Sequence, residues 1–170
     1  MTVEIALMSI LKNSIKQSVA AGSCIGTIGS GVPFNAGLVE LSEGTFPLPH
    51  GEAHVMFARQ RAPSPDYSTK EIKLSFSKGL AAGRYNLTRG ASEARITYLD
   101  NTNPDNPVIY TQNAGTAQLE YENGVFSGEV SVLVENNDDD QPRTLNILIT
   151  FSASRNTVRS NRRRAALVAA

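Results

Sequence analysis

The residues best suited to chemistry lie in one short stretch, His50-Gly51-Glu52-Ala53-His54, which holds both histidines of the 170-residue chain. If this stretch is extended, His50, Glu52 and His54 point to one side of a strand, because side chains alternate between its two faces. Two imidazoles and a carboxylate suit a divalent metal. Same-side neighbours on a strand nevertheless lie about 7 Å apart, which is wide for three ligands of one ion. We therefore predict a solvated strand face here, and a metal-dependent enzyme at these three residues is the last of three functional hypotheses.

Other enzyme classes find less support in the sequence. Glu52 does not follow its histidine directly, so the stretch is not the helical HExxH pattern of zinc proteases. A zinc deaminase needs a Pro-Cys-x-x-Cys element after its histidine, whereas the single cysteine, Cys24, lies upstream. No serine occupies a GxSxG elbow. We predict no catalytic residue, no enzymatic activity and no cofactor.

The Gly-rich stretch GTIGSG, residues 26–31, does not fit a phosphate-binding loop. Such a loop follows a strand, opens a helix and carries a GK[ST] ending, whereas this stretch runs into Val32-Pro33. We predict a flexible crossing from residue 23 to residue 37.

Composition limits the classes of partner and the architecture. The chain has 16 basic and 16 acidic residues, so it has no overall field that would recruit nucleic acid or an anionic membrane. A single cysteine excludes an internal disulfide. No apolar run approaches the roughly 18 residues that a membrane-spanning helix needs. The length favours one domain.

The strongest structural signal is Asn123-Gly124, which separates two runs of alternating apolar and polar residues. Both residues tolerate positive φ, as a two-residue type I′ hairpin turn requires. Such a turn fixes the register and places the apolar residues of both strands on one face. The predicted pairs are Glu122 with Val125, Tyr121 with Phe126, Leu119 with Gly128, and Ala117 with Val130.

A third alternating run, Leu145, Ile147, Ile149 and Phe151, follows the polar loop at residues 136–142. If Leu145 faces Val134, then Phe151 faces Gly128 and its ring lies over a position without a side chain. The three runs predict an antiparallel meander with one apolar face. A face of this kind needs a second layer to cover it.

In the middle of the chain, apolar and polar residues alternate in the same way within short runs, and Gly, Pro, Asn or Asp residues separate most of these runs. We predict further strands at residues 34–41, 52–58, 71–76, 84–87, 94–99 and 108–111, which makes about nine in all. The two long breaks, residues 62–66 and 101–107, are rich in proline and in turn-forming polar residues. Because loops carry most recognition, these two are the predicted binding elements.

Residues 2–21 carry the one strong helical pattern, with apolar side chains at three- and four-residue steps. These are Leu7, Met8, Leu11, Ile15 and Val19. Lys12 and Lys16 lie among them and Glu4 lies near the start, so the segment does not read as a signal peptide. We predict an amphipathic helix that packs on the sheet.

The last segment is basic, with arginines at Arg155, Arg159, Arg162, Arg163 and Arg164. Arginine at this density could grip phosphates or lipid head groups, but no aromatic residue is interleaved to stack on bases. We therefore predict nucleic-acid binding nowhere except through this tail.

These observations favour a single all-β domain, an antiparallel sandwich or flattened barrel of about nine strands with one N-terminal amphipathic helix. We divide the chain into the helix (1–22), the β domain (23–153) and the basic tail (154–170). The first functional hypothesis is a non-enzymatic protein that binds a ligand or protein partner through its long loops. The second is a membrane-associating or self-assembling protein that uses the helix and the arginine tail. The cellular location stays open.

Overall fold

A computed structural model describes residues 22–136 and 142–155 of the chain. The described residues form ten strands and no helix. They are β1 (Ser23–Ile28), β2 (Val32–Asn35), β3 (Leu38–Thr45), β4 (Glu52–Arg61), β5 (Thr69–Ser77), β6 (Gly83–Asn86), β7 (Ala94–Asn101), β8 (Val108–Glu122), β9 (Val125–Asn136) and β10 (Arg143–Ser154). The predicted N-terminal helix lies outside the described residues, as does the tail beyond Arg155. No helix in this part of the chain could cross a membrane.

Nine of the strands follow one another in a single antiparallel sheet, in the order β2-β1-β10-β9-β8-β7-β5-β4-β3. The tenth, β6, pairs with the second half of β8. The prediction of an all-β antiparallel domain with about nine strands is thus confirmed. The two layers of a sandwich are replaced by one curled sheet, a half-barrel.

Chain connectivity explains why the sheet curls. Strands β2 and β3 lie at opposite edges of the sheet, yet only Ala36 and Gly37 join them. Because so short a link spans about 10 Å at most, the two edges must approach each other. Backbone hydrogen bonds complete the seam: Ala36 N donates to Cys24 O on β1, and Gly37 N donates to Arg59 O on β4.

Three glycines, Gly26 on β1, Gly115 on β8 and Gly128 on β9, permit the strong bending of the sheet. A Cβ at Gly26 would lie 1.8 Å from Leu148 O, one at Gly128 would lie 2.1 Å from Gln118 O, and one at Gly115 would lie 2.3 Å from Ser131 O. Each distance is far below van der Waals contact, so the strands approach more closely than any side chain would allow. Glycines of this kind act as kinks that curve a sheet.

The core lies inside the curl, where the inward-facing residues of all the long strands meet. Its largest fully buried side chains are Tyr98, Phe34, Phe76, Phe126, Phe151, Met56, Ile72, Leu74, Leu87, Ile96, Leu119 and Ile147. The second layer that the apolar meander face requires is therefore the remainder of the same sheet. Buried residues alternate with more exposed ones along β7 and most of β8, as the period-two pattern predicted, whereas β4 buries the four consecutive residues 53–56.

The predicted register of the meander is confirmed throughout. Tyr121 pairs with Phe126 and Leu119 with Gly128 across the first hairpin. Leu145 pairs with Val134 and Phe151 with Gly128 across the second. Asn123 and Gly124 have φ values of 53° and 78°, as a type I′ turn requires.

The prediction of a flexible crossing at residues 23–37 is wrong. Strand β1 pairs along its whole length with β10, and the Gly29–Gly31 region is the tight turn that leads into β2. The glycines that suggested flexibility serve as a kink at Gly26 and as turn residues at Gly29 and Gly31, which have positive φ. Composition alone did not distinguish a kinked strand from a loop.

The sheet forks where β8 leaves β7 to pair with β6. The last register pair between β7 and β8 is Thr97 with Thr111, and among the described strands none pairs with β7 beyond it on that side. Buried Gln112 takes the place of a strand, since its Oε1 accepts from Ile96 N at 2.8 Å and its Nε2 donates to Ala94 O at 3.2 Å. A bulge follows at once, between Gln112 and Ala114, and redirects β8.

Candidate binding surface and the histidine corner

His50 is buried, with 2% of its surface exposed, and it lies in the turn before β4. The turn folds onto the outer face of the sheet, where the imidazole contacts the hydroxyls of Ser75 and Ser77 on β5. Its Nε2 lies 2.8 Å from Ser75 Oγ, and its Nδ1 contacts the carbonyl oxygen of Ser92. The carbonyl can only accept, so these partners assign the proton to Nδ1 and leave Nε2 to accept from the Ser75 hydroxyl.

The environment of His50 favours the neutral imidazole. Burial lowers the pKa of His50, the Ser92 carbonyl raises it in part, and the charge of Arg95 lowers it further. Ser77 Oγ lies 2.8 Å from Nδ1 and also donates to His50 O. Both ring nitrogens are thus engaged by protein groups, and the residue fastens the turn to β5.

His54 lies on the opposite face of the sheet, because its register partner Phe76 points into the core. Its ring stacks on Tyr121, with centroids 3.6 Å apart and planes 11° apart. Burial lowers the pKa of His54, as does the charge of Lys78, while Glu43 raises it. Lys78 Nζ lies 3.1 Å from Glu43 Oε2, so an ion pair lies beside His54 at this end of the sheet.

The prediction that His50, Glu52 and His54 share a solvated strand face is wrong for both histidines. Glu52 is exposed at the start of β4, opposite Thr45, while the two histidines are buried on opposite faces of the sheet. Among residues 22–136 and 142–155, no three His, Cys, Asp or Glu side chains are grouped so that they could hold a metal ion. The structure therefore does not bring the candidate metal ligands together.

The two predicted binding loops lie side by side at the other end of the half-barrel. The loop at residues 62–68 joins Arg61 to Thr69, and the loop at residues 102–107 follows Asn101. Thr69 pairs with both Arg61 and Asn101, and Asn101 Nδ2 donates to Thr69 Oγ1 at 3.5 Å. Neighbouring strands lie about 5 Å apart, so both loops leave the sheet within reach of one ligand. We call the surface formed by residues 62–68 and 102–107 the loop surface.

Local hydrogen bonds order the loop surface. Ser68 Oγ donates to Asp66 at 3.1 Å, and Asp105 N donates to Asn103 Oδ1 at 3.1 Å. Thr102 N donates to Asp100 Oδ1 at 2.9 Å. These are the turn contacts that Asp, Asn and Ser make with nearby groups.

One aromatic residue stands out on the loop surface. Tyr67 is 60% exposed and has a φ of 53°, a left-handed conformation that a bulky residue rarely adopts. Ile109, the second residue of β8 after the second loop, is 59% exposed. Sequence reasoning identified both loops but neither of these two residues, because their exposure depends on how the loops fold.

The remaining candidates are placed only in part. Of the arginine tail, Arg155 alone is described, and its guanidinium lies 3.6 Å from Glu43 at the His54 end. Cys24 is buried, and burial raises the pKa of its thiol to about 12, so it is not poised for nucleophilic chemistry.

The sequence matches no family model, and neither the curated proteins nor the solved structures contain a significant match to it.

Proposed function

We propose that the protein is a non-enzymatic binding protein that recognises a protein partner through the loop surface. The observation that carries this proposal is the adjacency of the two loops, which emerge from neighbouring strands with Tyr67 exposed between polar side chains. Tyrosine supplies a large contact area with little side-chain entropy to lose, and Ser, Asn and Asp supply adaptable hydrogen bonds. Polar loops of this composition, held on a rigid sheet, are typical of protein recognition.

The chemistry of the two histidines supports a binding role over an enzymatic one. The metal-dependent enzyme hypothesised at His50, Glu52 and His54 would need these three side chains at one ion, whereas His50 has both ring nitrogens engaged and His54 stacks on Tyr121. The membrane-association hypothesis uses the segments 1–22 and 154–170, and all but residues 22, 154 and 155 of them lie outside the described part of the chain, so that alternative stays a prediction.

The test is competitive photocrosslinking in an extract of the native cells. A benzophenone amino acid replaces Ile109 beside the loop surface and, as the matched control, Leu48, which is 88% exposed in the turn at residues 46–51. We expect a discrete adduct from position 109 that excess wild-type protein abolishes and excess Tyr67→Ala protein does not. Equal adducts from both positions, or equal competition by the two proteins, would refute the proposal.

A further inference from the structure

A trough of about 570 Å³ crosses the outer face of the sheet, away from both the loop surface and the histidine corner. Most of its lining comes from two adjacent rows of outward-facing residues that run across β1, β10, β9, β8 and β6. The first row is Ile25, Thr150, Glu129, Gln118 and Arg84, and the second is Thr27, Leu148, Ser131, Thr116 and Asn86.

The two ends of the trough differ in character. At the end formed by β1 and β10, Ile25 and Leu148 are 43% and 51% exposed, so two large aliphatic side chains face solvent together. Towards the other end lie a carboxylate, Glu129 on β9, and a guanidinium, Arg84 on β6. An occupant should therefore present apolar side chains at one end, then a positive and finally a negative charge.

We propose that the trough is the docking site of residues 2–21 of the same chain, bound as an amphipathic helix. Connectivity favours this occupant over any separate molecule. The segment joins the described chain at Gly22, and Ile25 lies three residues further along β1, which is about 10 Å at most. Tethering at such a distance gives the segment a high effective concentration at the trough.

The length of the trough agrees with the length of the apolar stripe in residues 2–21. Five neighbouring strands span four spacings of about 4.8 Å, so the trough is roughly 19 Å long. The apolar stripe from Leu7 to Val19 covers twelve residue steps, which in a helix is about 18 Å. A helix that enters β1 through Gly22 and lies across the strands therefore matches the trough from end to end.

The charged residues of the segment also match those of the trough. With Val19 and Ile15 over the aliphatic pair, Lys12 lies about 10 Å back along the helix, over the third strand of the trough, where Glu129 is found. Lys12 stands four residues after Met8 and three before Ile15, so it flanks the apolar stripe and can reach the rim. Glu4 precedes Met8 by four residues, continues the stripe, and comes to the end of the trough that carries Arg84.

The first test is hydrogen exchange on the full-length chain. We expect the amides of residues 7–19 to be protected in the wild type and to exchange at least tenfold faster in Leu148→Glu, which places a carboxylate in the aliphatic end of the trough. The control variant, Ile109→Glu, also places a glutamate at an exposed aliphatic residue, one outside the trough, and should leave that protection unchanged. Amides of β9 serve as the internal standard that both variants are folded.

Each other outcome of the exchange experiment overturns the proposal. The segment does not dock if the wild-type amides of residues 7–19 exchange at the rate of an unstructured chain, or if Leu148→Glu leaves their protection intact. If Leu148→Glu lowers the amide protection of residues 156–170 and not that of residues 7–19, the C-terminal segment is the occupant. Protection that rises with protein concentration identifies a second copy, and protection that arises only with vesicles of an anionic lipid identifies a membrane surface.

A charge reversal tests the orientation of the docked helix. Lys12→Glu should weaken the protection of residues 7–19, and Lys12→Glu combined with Glu129→Lys should restore most of it. Lys16→Glu with Glu129→Lys is the matched control. Lys16 lies one helical turn nearer to β10 than Lys12 does, and it lies further around the helix from the apolar stripe. Equal restoration by both double variants would contradict the orientation proposed.

Discussion

The β8–β10 meander and the histidine corner, formed by the turn at residues 46–51 with Ser75, Ser77 and Ser92, show two ways in which this sequence specifies structure. In the meander, alternation and the Asn123-Gly124 turn determine which residues face inward, and the observed register is the predicted one. In the corner, the same kind of alternation predicts an exposed His50, and the observed residue is buried.

The difference lies in the distance between the interacting residues along the chain. The first hairpin of the meander is closed by neighbours in sequence, so a local pattern contains the information that fixes it. The partners of His50 lie 25, 27 and 42 residues away, in β5 and in the loop before β7. Serines at those positions have no local signature, since the hydroxyls become partners only when the turn folds over β5.

The largest expected effect breaks the meander at its kink. Gly128→Val would place a Cβ about 2 Å from Gln118 O, in backbone that cannot move without separating β8 from β9. We expect a loss of more than about 3 kcal/mol in the free energy of unfolding, or failure to fold. Chemical denaturation followed by circular dichroism measures this.

The control for Gly128→Val is Gly83→Val, a glycine in strand β6 with open space around its Cβ position. Its change should lie within about 0.5 kcal/mol, as for most exposed substitutions. Equal effects at the two positions would mean that Gly128 is not a kink.

The next effect concerns the corner. His50→Ala would leave the Ser75 hydroxyl and the Ser92 carbonyl without their imidazole partner in a buried site, which costs on the order of 1 to 3 kcal/mol. A solvated His50 would instead give a change within about 0.5 kcal/mol. Urea unfolding of His50→Ala at pH 7.5 distinguishes the two, with Glu52→Ala, an exposed neighbour, as the control.

Much of the fold could thus be predicted from particular residues. The alternation of Leu145, Ile147, Ile149 and Phe151 predicted β10, and the Pro- and Asn-rich breaks predicted the loops around Tyr67 and Asn103. Strand β1 was missed because Gly26, which lets it cross β10 closely, is the residue type that also marks a loop.

The curl and the surfaces needed information that a local pattern does not contain. The two-residue link at Ala36 and Gly37 closes the sheet only because strand pairing places β2 and β3 at its opposite edges. The outer trough is similar, since Ile25 and Arg84 become ends of one row only after four strand registers are known. Local sequence specified hairpins, and long-range pairing specified where the surfaces meet.

The smallest effect sharpens the comparison by testing the turn that sets the meander register. Gly124 has a φ of 78°, and no atom outside its immediate chain neighbours lies within 4 Å of its Cβ position, so a substitution there changes backbone strain and little else. Gly124→Val should lower the free energy of unfolding by about 1 to 2 kcal/mol, because a β-branched residue resists positive φ. Gly124→Asn should lower it less, because asparagine tolerates that conformation. Thermal melts of the two variants measure the difference, and if valine and asparagine melt together at the wild-type temperature, positive φ at this turn does not determine the register.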